Sequence, residues 1–412
     1  MRNSSWLVGC LGCLLAFFSP SLARAGDFQV HHHDLKAKLT VESHGLEVSD
    51  RMTVERAGEI SSPFHLLLNR GLELSRARLN GKDLKWAVTE GFQPRHFWKR
   101  PPYDRLDDYE IAREWTLSPP AEGWPQQFDL ELAYSGAVFD SLHAPKVAYQ
   151  RSFDTTTGLI AQKGAFLSGA TLWLPWCGDG TFSYDLLTNT PSGWESISQG
   201  RRLDRQVDAK GRVSTKWVEV HPMTEAYLVA GPYRVRQMKH GNTTLYTFTY
   251  DNTPESLCKT YLDAAGNYLD LYDQMLGSYP FAKFALVENW WQTGFGMPSF
   301  TLLGDRVIRL PFIVHTSYGH EILHNWWGNG VFVDYEEGNW CEGLTTYLAD
   351  HLYKSQESVQ AAIDYRRAQL QGYLDYAVSG ARDFPLREFT ERESASTQAV
   401  GYGKTMMVFH MA

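Results

Sequence analysis

A chain of 412 residues, 14% of them aromatic, is long enough for two or three domains with substantial cores. Its formal net charge is −8 with both signs dispersed, and the lack of a basic patch argues against a nucleic-acid partner. No segment is long and apolar enough for a membrane span, and 5 cysteines are too few for a disulfide framework.

The N terminus reads as a secretory signal. Arg2 supplies a positive start, Trp6 to Phe18 is an apolar run too short to span a bilayer, and Ala23-Arg24-Ala25 is a cleavage pattern. Residues 1–25 are expected to be removed, leaving a mature chain from Gly26 in a secreted or periplasmic location. Cys177, Cys258 and Cys341 then remain, an odd set that leaves at least one unpaired. Cys341 reads as a small buried residue, because no base is paired with it in sequence.

From about Phe28 to Arg236 the chain is rich in short alternating or β-branched runs. Gly45 to Val54, Phe128 to Tyr134 and Lys216 to Val220 are examples, with turn signals at Asn80-Gly81, Ser118-Pro119-Pro120 and Pro191-Ser192-Gly193. An all-β domain is therefore expected over 26–236. His31-His32-His33 runs into an alternating segment and reads as the start of an N-terminal strand.

The periodicity then switches, and 237–412 is expected to form a second, mostly α domain. Thr253-Pro254-Glu255 predicts a helix start. Leu257, Tyr261, Ala264, Ala265, Tyr268, Leu271 and Met275 repeat at helical spacing, and Gly277 ends the run. A strand is expected at Phe284 to Val287. The next signal is His320-Glu321-Ile322-Leu323-His324, an H-E-x-x-H string with a cap-like start at Thr316-Ser317 and a stop at Gly328-Asn329-Gly330. On a helix both imidazoles lie on one face, one turn apart, and can reach one Zn²⁺. Glu321 is then placed as general base toward a zinc-activated water. Glu342 opens the next helical run, Trp340 to Ala349, and is the expected third ligand. Glu336 and Glu337, in the polar loop before it, read as solvated. Two histidines and one carboxylate leave a fourth position open, as catalytic zinc sites do.

His320 to Asn329 (HEILHNWWGN) followed by Trp340 to Tyr347 (WCEGLTTY) resembles the aminopeptidase N family of gluzincin zinc peptidases. Seventeen residues separate His324 from Glu342, one fewer than in the family, and Cys341 stands at the family's asparagine. The resemblance extends to Tyr402-Gly403-Lys404, a Tyr-x-Lys that implies Tyr402 as the oxyanion donor. It also reaches Gly294 to Ser299 and implies Gly296 and Met297 as substrate-binding residues. Pro298 and Ser299 replace the family's glutamate and asparagine, so the usual anchor for a substrate's ammonium is altered. Glu288 is the nearest upstream carboxylate that could substitute. His221 to Gly231 resembles the close of the family's saddle-like β-domain.

The fold implied is α+β and multidomain, a saddle-like β-domain followed by a thermolysin-like zinc peptidase domain. The family's catalytic domain continues through further helices, so the chain is expected to be incomplete at its C terminus. The function implied is a zinc metallopeptidase acting on peptides, with one Zn²⁺ per chain. The alternative is a catalytically idle relative that binds peptides or a partner.

Overall fold

The computed structural model describes residues 27–92, 111–143, 154–380 and 382–412, so the expected signal segment lies outside the described residues. The chain divides into two compact units. One takes the described residues of 27–143 and 155–234, and the other takes Asp154 and the described residues of 235–412.

The first unit is built on an eight-stranded sheet. Its spatial order is 201–207, 213–223, 182–190, 28–40, 45–56, 127–137, 72–79 and 82–83. Only the 28–40/182–190 pairing is parallel among the long strands. Burial alternates along Gly45–Arg56 and Val213–Met223, as expected of a sheet with one packed and one wet face. The wet face carries ion pairs such as Lys38–Glu47 and Lys216–Asp185, at 2.9 and 2.7 Å. The packed face holds Leu35, Val48, Met52, Leu132 and Tyr184. A four-stranded sheet (195–197, 228–231, 164–167, 158–161) and a three-stranded one (64–69, 112–117, 86–90) complete the unit. His31 to His33 lie inside the first strand, Phe28–Thr40, and His33 Nδ1 bonds the buried Asp50 carboxylate at 2.8 Å.

The second unit starts from a five-stranded sheet ordered 234–240, 243–249, 283–289, 300–304 and 294–297. Its middle three strands are parallel, and Gly294–Met297 is an antiparallel edge. Every residue of Lys283–Asn289 is buried, as befits a parallel strand covered on both faces. The crossover between 243–249 and 283–289 is helix α1, Glu255–Leu276, capped by Gly277 at φ 95°. Its buried stripe is Cys258, Tyr261, Leu262, Ala265, Leu269 and Tyr272. Met275, expected on that stripe, is 39% exposed because it lies at the stripe's flank, where Leu276 packs against the core instead.

Further helices follow: α2 (Ser317–Leu323), α3 (Cys341–Thr346), α4 (Leu352–Glu357), α5 (Val359–Tyr373), α6 (Ala395–Gln398) and α7 (Thr405–Met411). Wider π turns at Tyr347–His351, Leu374–Val378 and Ala399–Lys404 join neighbouring helices. Tyr261, Tyr272, Phe284, Tyr318, Ile322 and Leu323 share one core, which fixes α2 against α1 and the sheet. The molecule is thus α+β and multidomain, with a β-sheet N-terminal part and a helical C-terminal part. No helix among the described residues is long and apolar enough to cross a membrane. The cysteines Cys177, Cys258 and Cys341 are all free thiols.

Candidate metal centre

Helix α2 ends on His324, whose backbone is still helical (φ −56°, ψ −17°), so His320 and His324 stand one turn apart. Their ring centroids are 5.0 Å apart. Glu342 sits in the first turn of α3, and its Oε2 lies 3.5 Å from His320 Nε2 and 3.5 Å from His324 Nε2. The three side chains are buried, and their ligating atoms all lie within 4.8 Å of one another. Glu336 and Glu337 are exposed on their loop and stand outside this group.

The donor set fits zinc on three counts. Two imidazoles and one carboxylate are ligand types that zinc takes. Tetrahedral bonds of about 2.0–2.1 Å place neighbouring donor atoms roughly 3.3–3.4 Å apart, close to the separations found. His324 Nε2 and Glu342 Oε2 are buried without a hydrogen-bond partner, which is costly unless something else engages them.

The atoms behind the donors set the tautomers. Asp350 Oδ2 lies 2.7 Å from His320 Nδ1. A carboxylate only accepts, so Nδ1 carries a proton and Nε2 is the ring nitrogen turned toward Glu342. Trp327 O does the same for His324 Nδ1, at 3.2 Å, with Cys341 Sγ at 3.3 Å. Burial alone opposes charge on His320, but the Asp350 carboxylate and Glu342 outweigh it and raise the imidazole to about 10. Burial likewise works against charge on Glu342, yet the two histidines hold its carboxyl below the usual range. Such a pocket favours positive charge, as a cation site must. Asp350 was not singled out in the sequence. A lone aspartate eight residues past Glu342, thirty from its partner, carries no local signal.

Glu321 is fully buried beside the histidines. Gly296, on the edge strand Gly294–Met297, comes up against it. A Cβ at 296 would lie 2.7 Å from Glu321 Oε2 and 3.4 Å from His324 Cδ2. Met297, next in the strand, is buried. Tyr402 lies in the π turn Ala399–Lys404, which packs against α3. Helix α7, which follows that turn, also approaches α3 closely, for a Cβ on Gly343 would stand 2.3 Å from Thr405 Cγ2. The Tyr402 ring is 6.2 Å from that of Phe389, and the Arg392 guanidinium lies 5.9 Å over it.

The hairpin turn after Met297 carries no carboxylate. Ser299 is buried at φ 67°, its N–H donates to Asn325 Oδ1 at 2.7 Å, and its Oγ and O accept from Lys283 Nζ at 2.6 and 3.1 Å. Glu288 does not take over as an anchor for a substrate amine. Its Oε2 accepts from Tyr250 N (2.8 Å) and Thr253 Oγ1 (2.6 Å), and its Oε1 accepts from Arg309 (2.8 Å).

No protein-family model matches the chain. No curated protein sequence matches it either. Solved structures do. The M1 zinc metallopeptidase from Deinococcus radiodurans superposes with a TM-score of 0.65 at 17% identity, over 93% of this chain and 81% of that one. A mutant of that enzyme bound to a Tyr-Ser-Ala substrate matches with a TM-score of 0.65 at 16% identity, over 93% and 82%. Yeast LTA4 hydrolase matches with a TM-score of 0.63 at 15% identity, over 96% of this chain and 60% of that one. The chain therefore has the fold of the M1 zinc metallopeptidases, and within it a triad that fits zinc.

Proposed function

We propose that the chain is a zinc-dependent metallopeptidase that hydrolyses peptide bonds, with Glu321 as general base and Tyr402 as oxyanion donor. The observation that carries this reading is Glu342 Oε2 lying 3.5 Å from both histidine Nε2 atoms, with Glu321 buried beside them. Zinc, when held by His320, His324 and Glu342, supplies a Lewis acid that polarises the scissile carbonyl and acidifies a water. Glu321 takes a proton from the attacking water and returns it to the leaving amine. Tyr402 donates its phenolic hydrogen toward the developing oxyanion. Asp350 and the Trp327 carbonyl hold the histidine tautomers. Gly294–Met297, the terminal strand of its sheet, lies beside Glu321, where an extended peptide backbone can run along it.

Glu321→Gln tests the assignment. The amide cannot serve as base, so the variant is expected to keep its zinc and lose nearly all peptide hydrolysis. Hydrolysis at the wild-type rate would refute it.

The amino-terminal preference is proposed to be weak. Pro298 and Ser299 carry no carboxylate, and Ser299 Oγ accepts from Lys283 Nζ at 2.6 Å, so the turn after Met297 offers no anion of its own to a substrate ammonium. Secretion to the periplasm or the exterior remains part of the proposal, on the strength of the leader-like sequence of 1–25. N-terminal sequencing of the exported protein should begin at Gly26.

A further inference from the structure

We propose that Cys341 is a positioning residue for His324, and that its thiol sets how firmly the site retains metal. The inference rests on reading His320, His324 and Glu342 as zinc ligands. The sulfur is buried, 3.3 Å from His324 Nδ1 and 3.0 Å from Trp327 O. That carbonyl is itself 3.2 Å from Nδ1, so sulfur, carbonyl and imidazole close a triangle behind the ring. Space for the sulfur is made by Gly328, at φ 103°, where a Cβ would lie 3.1 Å from Sγ and 3.8 Å from Nδ1. On the other edge of the ring, His324 Nε2 is buried without a hydrogen-bond partner, and so is Glu342 Oε2. One edge is held by the thiol and the carbonyl while the other is turned toward the metal position.

The two histidines are held unequally. His320 leans on a carboxylate at 2.7 Å, whereas His324 shares a neutral carbonyl with a thiol, which is a weak donor and a weak acceptor. Cys341 also precedes Glu342 in the chain. Its side chain therefore links the end of α2 to the start of α3, the two elements that supply the ligands. Losing it should loosen the ring of one ligand.

The test is the zinc dissociation rate of the full chain, read by chelator capture, for wild type, Cys341→Ala and Cys341→Ser. Alongside it run the visible spectrum of the cobalt-substituted protein and the melting of the metal-free protein. Loss of a group behind a ligand typically weakens metal binding about 10–100-fold. Cys341→Ala is expected to release zinc faster by about that factor, with shifted cobalt bands and unchanged metal-free melting. Cys341→Ser, whose hydroxyl can still donate to Trp327 O, is expected to restore most of the retention. If Cys341→Ala lowers the metal-free melting, Cys341→Val, which keeps bulk without a donor, is read in its place with the same expectation. A wild-type release rate in the alanine or valine variant, or serine behaving like alanine, overturns the inference while leaving the ligand assignment intact. Failure of the wild-type protein to bind zinc overturns both.

Discussion

Replacing Tyr402 by phenylalanine removes one hydroxyl and leaves the ring packed near Phe389 and Arg392. Zinc content should be unchanged, and kcat should fall by about 10²–10³-fold, the usual cost of one oxyanion donor. Steady-state kinetics with an unchanged kcat would remove Tyr402 from the mechanism. The turn at Pro298-Ser299 makes a second residue-level prediction. A charge-assisted contact contributes about 1.5–3 kcal/mol, or roughly ten- to a hundred-fold in discrimination. With no carboxylate there and Glu288 engaged by Tyr250, Thr253 and Arg309, N-acetylated and free forms of one peptide should differ by less than about tenfold in kcat/KM. A strong preference for the free amine would contradict this. What was legible at this scale is what has a local pattern. His320 and His324 share a helix turn, and Glu342 opens the next helix. Asp350 and the sulfur of Cys341 act on atoms thirty and seventeen residues away in sequence, and no local pattern marks them.

At the scale of elements, the segment His221 to Gly231 offers a stability test. Glu225 lies between the strands Val213–Met223 and Leu228–Gly231. It ties them to Gly169, whose N–H donates to Oε2 at 2.6 Å, while the Tyr227 hydroxyl donates to Oε1 at 2.6 Å. Burial pushes its carboxyl from the ordinary 4.5 up to about 7, against the pull of those two donors. Between these values the folded protein holds a proton that the unfolded chain has released. The group's contribution to stability is therefore fullest below pH 4.5 and declines as pH rises toward 7. Glu225→Gln mimics the protonated form. Denaturation midpoints of the two proteins should nearly coincide near the acid end of this window, and the variant should be the more stable above pH 7. A stability gap that does not vary with pH would show that Glu225 stays charged in the fold. Element boundaries were only partly legible. The helix start at Pro254, its end at Gly277 and the strand at Phe284 carry breaker or β-branched signals. The π turn at Tyr347–His351, which carries Asp350, has none, because the wider turn is imposed by packing rather than by residue type.

For the whole molecule, alternating runs followed by helical periodicity were enough to read an α+β chain with its β part first. The structure changes units between residues 234 and 235. Which strands neighbour which was not legible. The parallel pairing of Phe28–Thr40 with Phe182–Thr190 joins segments some 150 residues apart, and alternation gives faces but not partners. The fold brings to one buried point a histidine pair from α2 and a carboxylate from α3, and the proposed function depends on a metal at that point. The direct measurement is metal analysis of the purified protein beside its His324→Ala variant. One zinc per chain in the wild type and its loss in the variant is the expected result. Stoichiometric zinc retained by His324→Ala would contradict the account.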